Sequence, residues 1–126
     1  MPNPRVLDVG QCSMDHGSIA RHLRSAYGAD VARAHSTADA LRAVRSGGFD
    51  LVLVNRVLDS DGSPGLDLIR ALKADPALAE VPVMLVSNYP DAQTEAGGLG
   101  ALPGFGKGDL RSGRVPALEA AIARSG

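Results

Sequence analysis

Hydrophobic residues in this chain occur in short continuous runs, separated by longer segments in which they recur every three or four positions. The clearest run, residues 51–54, has four consecutive apolar side chains and is typical of a strand covered on both faces. Further runs predict strands over residues 5–9, 30–34, 81–86 and within 101–106. Pro103 and Gly104 weaken the pattern of the last strand.

The segments between these runs predict five helices: over residues 19–27, between Ser36 and Gly47, from Ser63 to residue 75, near residues 91–96, and from 115 or 116 to 124. Gly28 stops the first helix, and a capping box beginning at Ser36 opens the second. Ser63 is predicted to cap the third helix, with Pro64 at its first position, and the glycines at 97–98 to interrupt the fourth. Alternating strands and helices predict a single α/β domain over residues 1–126, with a parallel sheet and right-handed crossovers.

Composition narrows the classes of function. A formal net charge of -1 with scattered Lys and Arg residues offers no electrostatic footprint for direct binding of nucleic acid or an anionic membrane surface. No apolar stretch is long enough for a signal peptide or a membrane span, so we expect a cytoplasmic domain. One cysteine allows neither an internal disulfide nor a cysteine-based metal cluster. The separated histidines His16, His22 and His35 share no ligand spacing and are predicted to be exposed or capping.

Several blocks of sequence together resemble a known family. Residues 50–55, 65–69 and 81–87, followed by Gly100, Ala101 and Lys107, resemble a response-regulator receiver domain in their order and spacing, from about Arg5 to the C-terminus. The resemblance implies a three-layer, flavodoxin-like fold with five parallel strands in the order 2-1-3-4-5. In such sheets, ligand chemistry lies at the carboxyl ends of the strands.

The resemblance also implies where the functional positions fall. In the family, an acidic pair after the first strand binds a divalent metal, and an aspartate ending the third strand accepts a phosphoryl group. A Ser or Thr after the fourth strand and a Lys after the fifth contact that phosphoryl group. Matched position by position, the acidic pair falls on Gly10 and Gln11, the phosphoacceptor on Asn55, the hydroxyl on Ser87 and the lysine on Lys107.

The first three of these positions lack the chemistry that the family uses. Gly10 has no side chain, Gln11 and Asn55 offer only neutral oxygens, and an amide is not the carboxylate nucleophile that an aspartyl phosphate requires. We therefore expect a degenerate receiver that is not phosphorylated, holds no metal or other cofactor and is not an enzyme. A Ser87 hydroxyl after a strand is equally typical of an ordinary loop.

Lys107 then lacks an anionic partner at position 55, and four acids are candidates to replace it: Asp8, Asp15, Asp59 and Asp61. Asp8, in the first strand, is predicted to lie near the edge of the strand, where it is solvated or bonded to a backbone amide. The alternative is a rebuilt acidic site around Asp8, Asp15 or Asp59 that still binds metal and takes up a phosphoryl group.

The resemblance implies a mode of action as well. In the family an aromatic residue three positions before the lysine couples phosphorylation to a contact face, and that position is Gly104 here. The face comprises the fourth helix, fifth strand and final helix, and the glycine-rich residues 97–108 are expected to reshape it. We expect a signalling protein or an output domain as the partner, with dimerisation through this face as a further option.

Two rival readings come from other classes. Residues 6–10 and 49–54 also resemble two motifs of class I S-adenosylmethionine methyltransferases. Against this, the turn at residues 11–17 largely lacks the expected glycines, the acid for the ribose hydroxyls would be His35 or Ser36, and the chain is short for that seven-stranded fold. A binding module that senses a small molecule in the vacated cleft is the other rival.

Overall fold

A parallel five-stranded sheet forms the centre of the molecule in the computed structural model, which describes residues 3–125. The strands are β1 (Arg5–Val9), β2 (Asp30–Ala34), β3 (Leu51–Asn55), β4 (Val83–Val86) and β5 (Leu102–Phe105). All four neighbouring pairs are parallel, and the order across the sheet is β2-β1-β3-β4-β5. The predicted flavodoxin-like strand order is confirmed.

Helices cover both faces of this sheet. They are α1 (Ser13–Tyr27), α2 (Thr37–Ser46), α3 (Gly65–Ala74), α4 (Pro90–Gly98) and α5 (Pro116–Ser125), with a 3-10 helix at Lys107–Ser112. Ile19 of α1 and Leu118 of α5 belong to one buried cluster, and Val44, Leu68 and Ala96 of α2, α3 and α4 belong to the other. Among residues 3–125, none of the helices has the length and apolarity that crossing a membrane requires.

Strand β3 explains why the clearest hydrophobic run is continuous. Leu51 and Leu53 pack into the cluster under α1 and α5, whereas Val52 and Val54 pack into the cluster on the opposite face. All four residues are at most 1% exposed, so the strand is buried on both faces, as predicted. With no Trp in the chain, aliphatic side chains supply most of this core.

The start of α3 differs from the prediction by one residue. The helix begins at Gly65, and Pro64 is the capping residue with an extended backbone. The hydroxyl of Ser63 is bonded to the carboxylate of Asp61 and makes no cap. A Cβ at Gly65 would lie 2.0 Å from the carbonyl oxygen of Asn55, so this close approach of helix to strand requires glycine.

Two other boundaries were also wrong. α1 begins at Ser13, six residues before the start predicted at residue 19. α4 continues through the glycines predicted to interrupt it, and the N–H groups of Leu99 and Gly100 bond back to its last turn. The 3-10 helix after β5 was not predicted, because its six residues make only two turns, too few for a periodic pattern.

Candidate functional site

The predicted site positions meet at the carboxyl end of the sheet. Asn55, Ser87 and Lys107 line a small cleft of about 230 Å³ between the loops that follow β3, β4 and β5. Gly10 adjoins them, because its carbonyl oxygen accepts a hydrogen bond from the Asn55 side chain. The arrangement that the resemblance implied is thus present in space, with different side chains.

The amide of Asn55 holds two loops together. Its Nδ2 donates one hydrogen bond of 3.1 Å to the carbonyl oxygen of Gly10 and one of 2.8 Å to that of Val57. Both donors of the amide are therefore used. An ionised aspartate in the same orientation has no proton to donate and would place negative charge against two carbonyl oxygens. The two carbonyl oxygens that face position 55 therefore favour an amide over a carboxylate.

Gly10 leaves no room for an acidic side chain. Its φ of 78° lies in the left-handed region, and a Cβ there would be 2.4 Å from Cδ2 of Leu58. Leu58 is 1% exposed, so it cannot turn out to solvent without losing its packing. The carbonyl oxygen of Gly10 also accepts a hydrogen bond of 3.0 Å from the N–H of Asp59. The loop after β3 therefore packs against Gly10, the position that the resemblance assigns to a metal-binding acid.

Gln11 is fully buried. Among residues 3–125, neither Oε1 nor Nε2 of its side chain has a hydrogen-bond partner, while its backbone carbonyl oxygen accepts a hydrogen bond of 2.9 Å from Nη2 of Arg33. A neutral amide with an enclosed oxygen is a poor substitute for a carboxylate ligand. Gln11 thus supplies none of the charge that the second acid of the pair would bring.

Asp8 lies in a different environment from the one predicted. It is fully buried, and its Oδ2 lies 2.7 Å from Nδ1 of His16, in the first turns of α1. The prediction of a solvated residue near the edge of a strand was wrong, because β1 is an interior strand and Asp8 lies beneath α1. Burial raises the pKa of Asp8 to about 6, while the His16 bond opposes that rise.

The histidine prediction needs correction for the same reason. His16 is a half-buried partner of Asp8, not an exposed or capping residue. His35 is exposed as predicted but pairs with Asp59 at 3.0 Å. Helix α1 starts four residues after β1 ends, so residue 16 falls over the end of the strand. That offset was the sequence signal that was missed.

Lys107 has an anionic partner on α1. Its Nζ lies 2.7 Å from Oδ2 of Asp15, and this hydrogen bond lowers the pKa of Asp15. Asp15 was one of the four acids considered as substitutes for the missing carboxylate. Of the others, Asp59 pairs with His35 and Asp61 with Ser63. The lysine is thereby paired with an acid of α1.

Ser87 and Gly104, the position where the family has its coupling aromatic residue, have structural roles. The hydroxyl of Ser87 accepts a hydrogen bond of 3.1 Å from the N–H of Tyr89, at the start of α4. At Gly104, where the family has its aromatic residue, a Cβ would lie 2.0 Å from the carbonyl oxygen of Leu85. An aromatic side chain does not fit there unless the backbone moves.

Gln93 of α4 occupies the space beside Gly104. Its Nε2 donates hydrogen bonds to the carbonyl oxygens of Leu85 (2.9 Å) and Ser87 (3.1 Å). Its Oε1 accepts a hydrogen bond of 3.2 Å from the N–H of Gly104. One side chain thus joins α4 to β4 and β5. Sequence reasoning missed this residue, since a glutamine within a short helix carries no pattern that reveals such contacts.

The cleft has a partly apolar rim. The guanidinium of Arg56 lies 4.8 Å from the ring centroid of Tyr89, and both side chains line the same cleft as Asn55 and Ser87. Tyr89 and Val57 are 60% and 40% exposed. Thus a cation stacked on an aromatic ring lies at the rim.

The divalent metal implied by the fold does not fit these residues. Gly10, Gln11 and Asn55 provide no carboxylate, and Asp8 is enclosed and bonded to His16. Over residues 3–125, no three His, Cys, Asp or Glu side chains are grouped so that they could hold a metal ion. Magnesium requires several hard oxygen ligands around it, and carboxylates usually provide the charge.

No protein-family model matches the sequence. Among solved structures, a sensor protein from Polaromonas sp. JS666 is 24% identical, with a TM-score of 0.82 over 99% of this chain and 100% of that chain. The chemotaxis response regulator CheY4 of Vibrio cholerae is 17% identical, with a TM-score of 0.75 over 95% and 99%.

The signal receiver domain of a DNA binding response regulator from Colwellia psychrerythraea 34H is 20% identical, with a TM-score of 0.75 over 97% of both chains. The five-stranded sheet also differs from the seven-stranded fold of the methyltransferase alternative, which therefore loses its support. The comparisons and the strand order together show that this chain has the fold of CheY-like response-regulator receiver domains.

Proposed function

We propose that this chain is a degenerate receiver domain of two-component signalling, which acts through protein–protein contacts and is not phosphorylated. One observation carries the proposal: the amide of Asn55 is bonded through both of its donors to the carbonyl oxygens of Gly10 and Val57. In this proposal the domain is cytoplasmic, has no catalytic activity of its own and uses no cofactor.

The chemistry of phosphoryl transfer supports this reading. Transfer depends on a positioned nucleophile and on neutralisation of charge around the phosphoryl group. Asn55 is not a nucleophile, and the positions of the acidic pair provide no anion to hold a metal. The cation that remains, Lys107, is already paired with Asp15. The nucleophile and the metal-binding acids are thus missing, and the remaining lysine is paired elsewhere.

The contacts of Gln93 support the second half of the proposal. A receiver switches because the phosphoryl group favours one of two conformations. Here the side chain of Gln93 ties α4 to Leu85, Ser87 and Gly104, where the family has a mobile aromatic residue. We infer a domain held in one arrangement, so that binding is controlled by the presence of the partner instead of by modification.

The proposal is tested by incubating the folded protein with acetyl phosphate and Mg²⁺ and measuring its intact mass. We expect only the unmodified mass, whereas a receiver that keeps its aspartate, treated in parallel, gains a phosphoryl group. A stoichiometric adduct on this chain contradicts the proposal. The Asp15→Asn variant would then show whether the acid beside Lys107 is a rebuilt acceptor, because the adduct should disappear.

A further inference from the structure

A long groove lies between α1 and the 3-10 helix, on the side of α1 away from Asp8. Its volume is about 960 Å³, against about 230 Å³ for the cleft beside Asn55. Lys107 and Asn88 line both cavities, so the two lie next to each other. We call it the α1 groove and define it by Met14, Arg21, His22, Leu110 and Arg111, with Lys107 at its end.

The α1 groove is basic, although the whole chain has a net charge of -1. Arg21 and Arg111 are exposed, and neither has an acidic partner within residues 3–125. The single acid in its lining, Asp15, is neutralised by Lys107. Asp109 belongs to the same 3-10 helix as Arg111, but its carboxylate accepts a hydrogen bond of 2.9 Å from the N–H of Gly106. Two guanidinium groups thus remain available for an anionic ligand.

The same lining provides apolar surface and an unused polar atom. Met14 is 81% exposed, and Leu110 is half-buried beside it in the groove. Nε2 of His22 is enclosed and has no hydrogen-bond partner among the described residues. Methionine adapts to side chains of different shape, and guanidinium groups bind carboxylates through two parallel hydrogen bonds. This combination suits a peptide better than a small inorganic anion, which would leave most of the groove empty.

We propose that the α1 groove binds an acidic segment of a partner protein, in which at least two carboxylates pair with Arg21 and Arg111 and an apolar side chain packs on Met14. This inference rests on the proposed function, because it names the surface and the chemistry of the protein contact. It places that contact on α1 and the 3-10 helix, not on the face formed by α4, β5 and α5.

The test uses a fluorescein-labelled peptide of alternating glutamate and leucine, with a peptide in which glutamine replaces every glutamate as its counterpart. Anisotropy should report binding of the acidic peptide alone, and amide chemical shifts should change at residues 14, 21, 22 and 111. Arg21→Glu and Arg111→Glu should each weaken binding by about tenfold or more, since each removes a charge-assisted pair and adds repulsion. Arg70→Glu, the same change on α3, should leave it unchanged.

The inference would be overturned by no binding of the acidic peptide, by equal weakening in Arg70→Glu, or by shifts confined to other helices. Complete displacement of the peptide by inorganic phosphate at equal concentration would show a site for a simple anion and would also overturn it. Self-association that Arg21→Glu abolishes would identify a second copy as the occupant instead. None of these binding results contradicts the proposed function. That function is contradicted by a phosphoryl adduct in the mass measurement.

Discussion

Nδ2 of Asn55 lies 3.1 Å from the carbonyl oxygen of Gly10, and this hydrogen bond joins the position where receiver domains carry the phosphoacceptor to a position where they carry a metal-binding acid. The bond ties the loop after β3 to the end of β1. It also uses a proton that an ionised carboxylate lacks. At position 55 an amide that contacts the neighbouring loop thus takes the place of the carboxylate that the resemblance implies.

Aspartate, the residue that the resemblance implies at position 55, should make the folded protein less stable than Asn55 does. Asn55→Asp replaces a donor to Gly10 and Val57 by an anion, so the free energy of unfolding should fall by about 0.5–1.5 kcal/mol for each hydrogen bond lost, since the bond to Gly10 is part-buried and the bond to Val57 is exposed. Urea denaturation measures this change. Asn88→Asp is the matched control, since Asn88 is exposed in the neighbouring loop and should tolerate the charge. An Asn55→Asp variant as stable as the parent would refute the role of the amide.

The packing of Leu58 against Gly10 makes a second prediction. Gly10→Ala should destabilise more than Gly113→Ala, although both glycines have a φ of 78°. The backbone cost of about 1–2 kcal/mol is common to the two variants. Only Gly10 has Leu58 within 2.4 Å of the new Cβ, whereas nothing lies within 4 Å at Gly113.

The excess for Gly10→Ala should be about 1–3 kcal/mol, the usual cost of overpacking. Thermal or urea unfolding of both variants measures it. In a double-mutant cycle, Gly10→Ala should cost less in a Leu58→Ala background than in the parent, because the truncated side chain removes the closest contact of the new Cβ. Equal losses for the two glycine variants would mean that the space beside Gly10 is free, and an acid would then fit there.

Gln93→Ala should loosen the link between α4 and the sheet. The variant leaves the carbonyl oxygens of Leu85 and Ser87 and the N–H of Gly104 without this partner, so we expect a loss of about 1–3 kcal/mol. Hydrogen exchange should become faster at Gly104 in particular. The adjacent Thr94→Ala, which removes a hydroxyl bonded to Pro90, is the control and should change exchange at Gly104 little. Unchanged protection in Gln93→Ala would contradict a fixed arrangement.

The buried Asp8 predicts a pH dependence of stability. Burial raises its pKa from 3.8 to about 6, so the folded state binds this proton more tightly than the unfolded chain does. The corresponding stabilisation is complete below pH 3.8 and is lost as the pH rises through about 6. A difference of this size amounts to roughly 3 kcal/mol.

Asp8→Asn removes the titrating group, so its stability relative to the parent should increase between pH 4 and pH 7. Urea denaturation across this range measures the difference, with Asp91→Asn, an exposed acid on α4, as the control. Curves for the parent and Asp8→Asn that stay parallel with pH would show that Asp8 titrates normally, contrary to its enclosed position beside His16.

The strands were predictable because burial on both faces leaves continuous apolar runs, as in residues 51–54. The location of the site was predictable because parallel strands place Asn55, Ser87 and Lys107 at one edge. The partner of Lys107 stayed open among four acids, since the choice of Asp15 depends on where α1 begins.

Asp8 could have been placed better from the sequence. The strand order makes β1 an interior strand, and residue 8 shares a face with Val6, which packs under α1. Those two facts imply burial and a partner on α1. Gln93 is different, because its contacts with Leu85 and Gly104 exist only once α4 has docked on the sheet. No pattern along the chain records such a contact.

The most direct test of the central claim is the intact mass of the folded protein after incubation with acetyl phosphate and Mg²⁺. The amide at Asn55, the absence of an acid at Gly10 and the Lys107–Asp15 pair predict an unmodified chain. One phosphoryl group per chain, acquired only in the presence of Mg²⁺, would contradict the account.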